Sequence, residues 1–435
     1  MKRFLTLITL FSLAGAAAQP YRPTSGREPL RGTLVAAPTA AEAEYAAPQA
    51  SRYLSPLEEW TADGSVRESD FTVPFAWANR QVYIHMGPAS TEYELLVNGR
   101  SAGYNADPNH AADFNVTKLA REGRNRLAVR FTEPSELAAL ESWKQQSAPA
   151  FDGAYVFSQP TMHIRDVAVN SRLVEGETKA EIGIVVRTAG LNPKTSRIHY
   201  DLRTPDSTRL ASGHRELTLG MRGEDTIRFV VSIPDSLRWN AAHPVLCDLR
   251  LRTQYEGRFG EYIRLRLGFR TVGTHEGQLT VNGGPVELRI REVAPTAAPH
   301  DLARLKSEGY NALKLRAGAV PEGFYAACDT LGIYVVAQAP IDTRASGTDI
   351  RRGGNPSNDP AWLPAYLERT ADSYHAAKRH PSVIAFSLAE KSANGINLYE
   401  SYLQMKRTGD PRPFVYPDAG GEWNSDALTV GPGEE

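Results

Sequence analysis

The 435-residue sequence has little cysteine, no excess of either charge and, beyond its first residues, no long apolar run. Its two cysteines, Cys247 and Cys328, lie far apart, which predicts two buried free thiols rather than a disulfide framework. A net charge of -1 gives no indication of binding to nucleic acid or to an anionic membrane. Without a later apolar stretch long enough to cross a bilayer, the sequence predicts no transmembrane segment.

The sequence also lacks the common signatures of metal and nucleotide sites. Its ten histidines show neither H-x-x-x-H nor Cys/His spacing, so no zinc site is predicted. It contains no G-x-G-x-x-G or Walker loop, so no nucleotide is predicted either. We therefore expect a protein without a cofactor and without a metal ion.

The N-terminus has the pattern of an export signal. Lys2 and Arg3 precede an apolar stretch, residues 4–13, which is followed by small residues suited to cleavage before Gln19. We predict a signal peptide over 1–18 and an exported protein that is periplasmic, attached to the cell surface or secreted. Residues 19–55 are rich in Ala, Pro, Thr and Glu without a clear period, and they predict a linker or extended arm.

Three domains are predicted after this segment. Residues 56–169 alternate apolar and polar side chains and contain the hairpin signal Asn98-Gly99, which favours an antiparallel β-sandwich. Residues 170–269 alternate in the same way without a helical period, and they predict a second sandwich. In residues 270–435 strands and helices follow one another, which is typical of a parallel α/β layer.

The stretch 380–397, HPSVIAFSLAEKSANGIN, contains the most informative pattern of that third domain. Residues 383–388 form a short apolar run between two helical patterns and predict a buried parallel strand. The run ends at Ala389-Glu390-Lys391-Ser392. Because catalytic groups in such layers lie at the C-terminal ends of the strands, we expect any site to include these residues.

This stretch resembles the strand-four motif of glycoside hydrolase family 2, the β-galactosidase and β-glucuronidase family, which reads roughly HPS-V-hydrophobic-W-S-L-G-N-E-S. Further stretches are similar to the family in the same order, among them YELLVNGRSAGYN, MHIRDVAV and CDTLGIYVV. The resemblance implies a galactose-binding-like jelly-roll over 56–169, an immunoglobulin-like sandwich over 170–269 and a TIM-type barrel from residue 270.

The resemblance also identifies departures from the family's catalytic pattern. Glu390 falls where the family has Asn, and Lys391 falls where it has its catalytic acid/base Glu. A retaining glycosidase needs two carboxylates about 5–5.5 Å apart, one of which donates a proton, and lysine is a poor proton donor at neutral pH. About five barrel strands are predicted, and the family's nucleophilic Glu lies on a later strand, so the predicted barrel is incomplete.

Four residues are predicted for the site. Glu390 either faces the barrel mouth through a strand-end bulge, as a displaced catalytic acid, or forms a solvated pair with Lys391. Lys391, Asp342 and Trp423 are predicted to bind substrate, although Trp423 equally fits a residue that covers the end of the layer. The loop 104–107 resembles a sugar-binding loop of the family, and its Asn and Asp also suit an ordinary turn.

These observations favour an exported, catalytically degenerate family 2-like protein that acts in carbohydrate binding or surface assembly. We expect a carbohydrate ligand, and a second copy, a partner chain or the N-terminal arm covering the open barrel edge at 413–416. The alternative is an active β-glycosidase that hydrolyses β-galactosides or β-glucuronides with Glu390 as its acid. A truncated gene product with little function is a third interpretation.

Overall fold

The computed structural model describes residues 19–45, 51–145, 147–347, 349, 354–419 and 424–426. The predicted signal peptide, 1–18, and Trp423 lie outside the described residues. The described chain forms two antiparallel sandwiches followed by a parallel α/β layer. None of its helices is both long enough and apolar enough to cross a bilayer.

Nine strands form the first sandwich, called here the N-terminal sandwich. They are β1 Leu54–Pro56, β2 Thr61–Asp63, β3 Val66–Val73, β4 Gln81–Met86, β5 Tyr93–Val97, β6 Arg100–Asn105, β7 Ala112–Asn115, β8 Gly123–Phe131 and β9 Ala154–Gln159. Their sheets have the orders β1-β9-β4-β7 and β2-β3-β8-β5-β6. Along β8 alternate side chains such as Leu127 and Val129 are buried, as the period-two pattern requires. Asn98 and Gly99, with φ of 52° and 76°, form the predicted turn between β5 and β6.

The second sandwich has seven longer strands. They are β10 Met162–Val174, β11 Glu177–Thr188, β12 Lys194–Arg203, β13 Arg209–Leu219, β14 Glu224–Ile233, β15 Cys247–Tyr255 and β16 Arg258–Leu267. Their sheets have the orders β10-β11-β14 and β13-β12-β15-β16. Alternate residues of β14, including Ile227 and Phe229, face the core between the two sheets. Cys247 lies in this core and Cys328 in the parallel layer, and both are buried free thiols.

A small antiparallel sheet leads into the parallel layer. It comprises β17 Val272–His275, β18 Gln278–Val281 and β19 Gly284–Pro285. Five parallel strands follow in chain order: β20 Ile290–Val293, β21 Ala312–Leu315, β22 Tyr334–Gln338, β23 Val383–Ser387 and β24 Phe414–Val415. Every residue of β22 and β23 is buried, which explains why both strands are largely apolar.

The described residues form five α-helices. The first is a single turn in the N-terminal segment, and the other four lie in the parallel layer. They are α1 Ala40–Ala43, α2 Pro299–Ser307, α3 Phe324–Leu331, α4 Leu363–Ala377 and α5 Ile396–Lys406. Gly332 ends α3 in the left-handed region at φ 71°. A Cβ there would lie 2.4 Å from the carbonyl oxygen of Ala241, so this helix end requires glycine.

Residues 19–45, called here the arm, contact all three domains. Ser25 pairs with Tyr104 at the end of β6, and Ala37 pairs with Tyr262 of β16. The backbone N–H of Glu28 donates to Asp113 of β7. Because β6, β7 and β16 are all edge strands, the arm covers an edge of three different sheets. Over residues 19–45, the segment predicted as a linker or extended arm is thus held against the domains, and pairing with three sheets in turn accounts for its lack of a sequence period.

The outer edge of β24 is also hydrogen-bonded. The backbone N–H of Phe414 donates to the Asp426 carboxylate, and the N–H of Asp426 donates to the Phe414 carbonyl, both at 2.9 Å. The N–H of Tyr416 donates to the Ser425 hydroxyl at 2.9 Å. The edge predicted to need a partner chain or the arm is therefore met by Ser425 and Asp426 of the same chain.

Candidate functional site

The C-terminal ends of β21, β22 and β23 bring three of the four predicted site residues together. Asp342 and Glu390 are neighbours in a parallel backbone bridge, with the Glu390 N–H donating to the Ile341 carbonyl at 2.8 Å. Lys391 follows directly. The fourth predicted residue, Trp423, lies outside the described residues.

The Glu390 side chain points inward and faces hydrogen-bond donors. It is 7% exposed, and its Oε2 accepts from the backbone N–H of Ala317 at 2.7 Å. Its Oε1 lies 3.5 Å from Nη2 of Arg344 and 3.9 Å from Nζ of Lys391. The carboxylate is therefore a buried acceptor, whereas Lys391, its partner in the strand-end pair, is exposed.

Asp342 is fully buried and is held by Arg344. Its Oδ2 accepts from Nε of Arg344 at 2.7 Å and also from Nη2, and its Oδ1 accepts from the Arg344 backbone N–H at 3.0 Å. The hydrogen bond to Asp342 is the main reason that the pKa of the Arg344 guanidinium is raised. The sequence interpretation missed Arg344, for which the only signal is a basic residue two positions after Asp342. One guanidinium thus serves both carboxylates of the site.

Lys391 is largely exposed, although its Nζ remains 3.9 Å from Oε1 of Glu390. Its backbone has φ 44°, in the left-handed region, and its N–H donates to Oδ2 of Asp418 at 2.9 Å. Its side chain is 55% exposed. The residue in the family's acid position therefore extends towards solvent, whereas Glu390 before it extends into the fold.

The N-terminal sandwich covers these strand ends. The Asp342 N–H donates to the Leu140 carbonyl at 2.9 Å, and the Ser142 N–H donates to the Asp342 carbonyl at 3.0 Å. Between them, Glu141 pairs with the buried Arg369 of α4 at 2.7 Å. Burial alone would raise the pKa of Glu141, but Arg369 and Lys144 outweigh burial and lower it. A continuous backbone ladder therefore joins the sandwich to the parallel layer at the site.

The loop with predicted sugar-binding character is buried in a network of charges. Oδ2 of Asp107 lies 2.6 Å from Nδ1 of His110, and Asp372 of α4 lies 2.6 Å from the Arg27 guanidinium. Asp107, His110 and Asp372 each place one ligand atom within 4.8 Å of the others, so these types could hold a metal ion. Arg27 already supplies a positive charge there, and we interpret the cluster as an internal ion network.

Comparison with known proteins shows which family and which enzymes this chain is similar to. The model of the glycosyl hydrolases family 2 TIM barrel domain matches residues 280–430. A β-galactosidase of Priestia megaterium is 25% identical over 368 residues, covering 80% of this chain and 35% of its own length. One from Aeromonas hydrophila is 28% identical over 381 residues, covering 81% of this chain and 36% of its own.

Solved structures agree in fold. A Bacteroides uniformis β-glucuronidase 2, covalently bound to cyclophellitol-6-carboxylate aziridine, matches with a TM-score of 0.68 and 14% identity, over 81% of this chain and 46% of its own. A putative β-galactosidase from Bacteroides fragilis matches with a TM-score of 0.66 and 14% identity, over 81% of this chain and 55% of its own. The chain spans about a third of the length of the curated relatives it matches. Residues 280–430 thus match the TIM barrel domain of glycoside hydrolase family 2, and the chain is similar in sequence to β-galactosidases and in fold to these solved structures.

Proposed function

We propose that this protein is an exported, non-hydrolytic member of family 2 that binds carbohydrate. The observation that carries the proposal is the environment of Glu390, whose two carboxylate oxygens face the Ala317 N–H, Arg344 and Lys391. A general acid must present a proton to the departing oxygen of the sugar. Glu390 instead accepts from donors of the chain itself and is almost fully buried.

The second carboxylate is engaged in the same way. Asp342 is fully buried and accepts three hydrogen bonds from Arg344. A nucleophile must approach the anomeric carbon of a bound sugar. With Arg344 between the carboxylates and Leu140 hydrogen-bonded beside them, neither is placed to attack a sugar.

On this proposal the protein binds the same class of ligand as the family's enzymes but does not hydrolyse it. The curated relatives are named β-galactosidases, which makes β-galactosides the first ligands to consider. Export rests on the predicted signal peptide over 1–18. Outside the cytoplasm, such a protein would hold a sugar at the cell surface or in the periplasm.

The test combines hydrolysis with binding. Purified protein is incubated with p-nitrophenyl β-galactoside and β-glucuronide, and lactose binding is measured by calorimetry. We expect no release of p-nitrophenol above the protein-free rate together with saturable lactose binding. Lys391→Glu, which restores the family's acid residue type, should also remain inactive, because side chain 391 points to solvent. Turnover that Glu390→Gln abolishes would overturn the proposal and identify an active β-glycosidase.

A further inference from the structure

A large cavity lies where the arm, both sandwiches and the parallel layer meet. Its volume is about 760 Å³, within the range of about 300–1,000 Å³ occupied by small-molecule sites. Among the described residues that line it are Arg31 of the arm, Tyr155 of β9, Arg266 of β16 and Glu322 before α3. Asp342, Glu390 and Lys391 are not among them, so this cavity is separate from the strand-end site.

An immobilised aromatic ring lines the cavity. The rings of Tyr155 and His85 stack with centroids 4.3 Å apart and an interplanar angle of 10°. His85 is itself fixed by Asp113, whose Oδ1 lies 2.7 Å from Nδ1 of His85. Burial, and then the nearby carboxylates of Asp113 and Glu322, raise the pKa of the Tyr155 phenol. The phenol therefore stays neutral, and its ring offers a preorganised apolar face beside a hydroxyl.

Charged side chains without an ion pair among the described residues line the same cavity as this ring. Glu58, Asp152 and Glu322 line the cavity and form no ion pair or side-chain hydrogen bond within the described part of the chain. The Arg266 guanidinium lines it in the same unpaired state. Carboxylates accept hydrogen bonds and guanidinium groups donate them. The cavity thus offers acceptors and donors together, around an aromatic face.

A neutral, polyhydroxylated ring satisfies this combination. Each sugar hydroxyl both donates and accepts, and the C–H face of a pyranose is apolar and flat enough to lie on an aromatic ring. A strongly charged ligand would suit the lining less well, because Arg31 and Arg266 oppose Glu58 and Glu322. Domain interfaces are also the usual location of such cavities.

We propose that this interdomain cavity is a binding site for a neutral mono- or disaccharide, with Tyr155 as its stacking platform. The ligand class rests on the proposed function, whereas the location is independent of the strand-end site. Glu322 and Asp152 accept hydrogen bonds from sugar hydroxyls, and Arg266 donates to them. Bound sugar contacts all the parts of the chain that meet at the cavity and strengthens their association.

The test measures binding of lactose, D-galactose and methyl β-D-glucoside by calorimetry to the full chain and its variants. Tyr155→Ala and Glu322→Gln should each weaken binding at least tenfold. Phe75→Ala, which removes an exposed aromatic ring outside the cavity, should leave the affinity unchanged. Thermal melts verify that each variant folds. If Tyr155→Ala does not fold, Glu322→Gln and Asp152→Asn test the cavity site instead, because both of these side chains are exposed.

The outcomes separate this inference from the proposed function. Binding that Glu390→Gln weakens and the cavity variants leave intact would overturn the cavity site alone. Wild-type protein that binds none of the three sugars would overturn sugar binding altogether. Hydrolysis of a chromogenic glycoside with normal cavity binding would count against the non-hydrolytic function only.

Discussion

Arg27 and Asp372 form an ion pair of 2.6 Å that joins the arm to helix α4, and their side chains are only 5% and 6% exposed. The same guanidinium lies 2.8 Å from Glu368, one turn earlier on the helix. Burial raises the pKa of Glu368 to about 7 although Arg27 opposes the rise. The guanidinium charge of Arg27 compensates the carboxylates of Asp372 and Glu368, and it thus anchors the arm to α4.

Replacing Arg27 by methionine is expected to destabilise the fold. Removing one partner of a buried ion pair costs about 3–5 kcal/mol, because the remaining charge stays buried without compensation. Urea unfolding should show a loss of this size, and hydrogen exchange should be faster at Ser25 and Tyr104, which pair across the arm. Arg22→Met is the control, since Arg22 is 51% exposed in its pair with Glu94 and should cost less than about 1 kcal/mol. Equal effects of the two variants would show that Arg27 does not anchor the arm.

Removing the Arg344 guanidinium should leave the buried Asp342 carboxylate without its side-chain donors. We expect Arg344→Gln to cost about 1–3 kcal/mol, the usual range for a buried acceptor left unsatisfied. Arg304→Gln is the matched control, because Arg304 pairs with Asp301 and Glu308 on the surface of α2. Denaturant midpoints of the two variants compare the sites directly. An Arg344→Gln protein as stable as the wild type would show that Arg344 does not hold the strand ends.

The left-handed backbone at Lys391 gives opposite expectations for two substitutions. Lys391→Gly removes the steric cost of φ 44° and should be at least as stable as the wild type. Lys391→Val should lose about 1–2 kcal/mol, because a branched Cβ is least tolerated there. Lys179→Val in the extended strand β11 is the control and should be tolerated. Thermal melts would contradict the backbone conformation if the valine variant were the more stable at position 391.

Glu261 should make stability depend on pH. It is fully buried in β16, where its Oε1 accepts from the Ile164 N–H at 2.8 Å, and burial raises its pKa from 4.5 to about 7. The folded state therefore binds more protons than the unfolded state between these pH values, so the contribution of Glu261 is fully present below pH 4.5 and is lost as pH rises to 7.

The neutral isostere Glu261→Gln isolates this effect. Its stability should equal that of the wild type near pH 4.5 and exceed it by about 3 kcal/mol at pH 8, since each pKa unit corresponds to about 1.4 kcal/mol. Chemical unfolding of both proteins across this range measures the difference. A constant difference at all pH values would contradict the raised pKa.

The elements whose signal lies within one stretch of sequence could be predicted. The buried run after Pro381 became β23, and the helical patterns on either side became α4 and α5. The Asn98-Gly99 turn was readable for the same reason. Short-range periodicity and backbone preference determine these features.

Features that depend on distant partners could not be predicted. The arm has no period, because its residues pair with strands and a helix that follow much later in the chain. Arg344 became important only through its turn back onto Asp342, and Glu390 could be placed inside or outside the fold until its contact with Ala317 was known. Such contacts follow from tertiary packing.

Ser425 and Asp426 also affect how another strand could join the parallel layer. They take up the backbone groups of Phe414 and Tyr416 that a neighbouring strand would use. Any strand that joins the sheet on this side, from this polypeptide or from another molecule, must first dislodge Asp426 from Phe414. Growth of the sheet beyond β24 is therefore an exchange of one set of hydrogen bonds for another, with a barrier that simple edge-to-edge addition does not have.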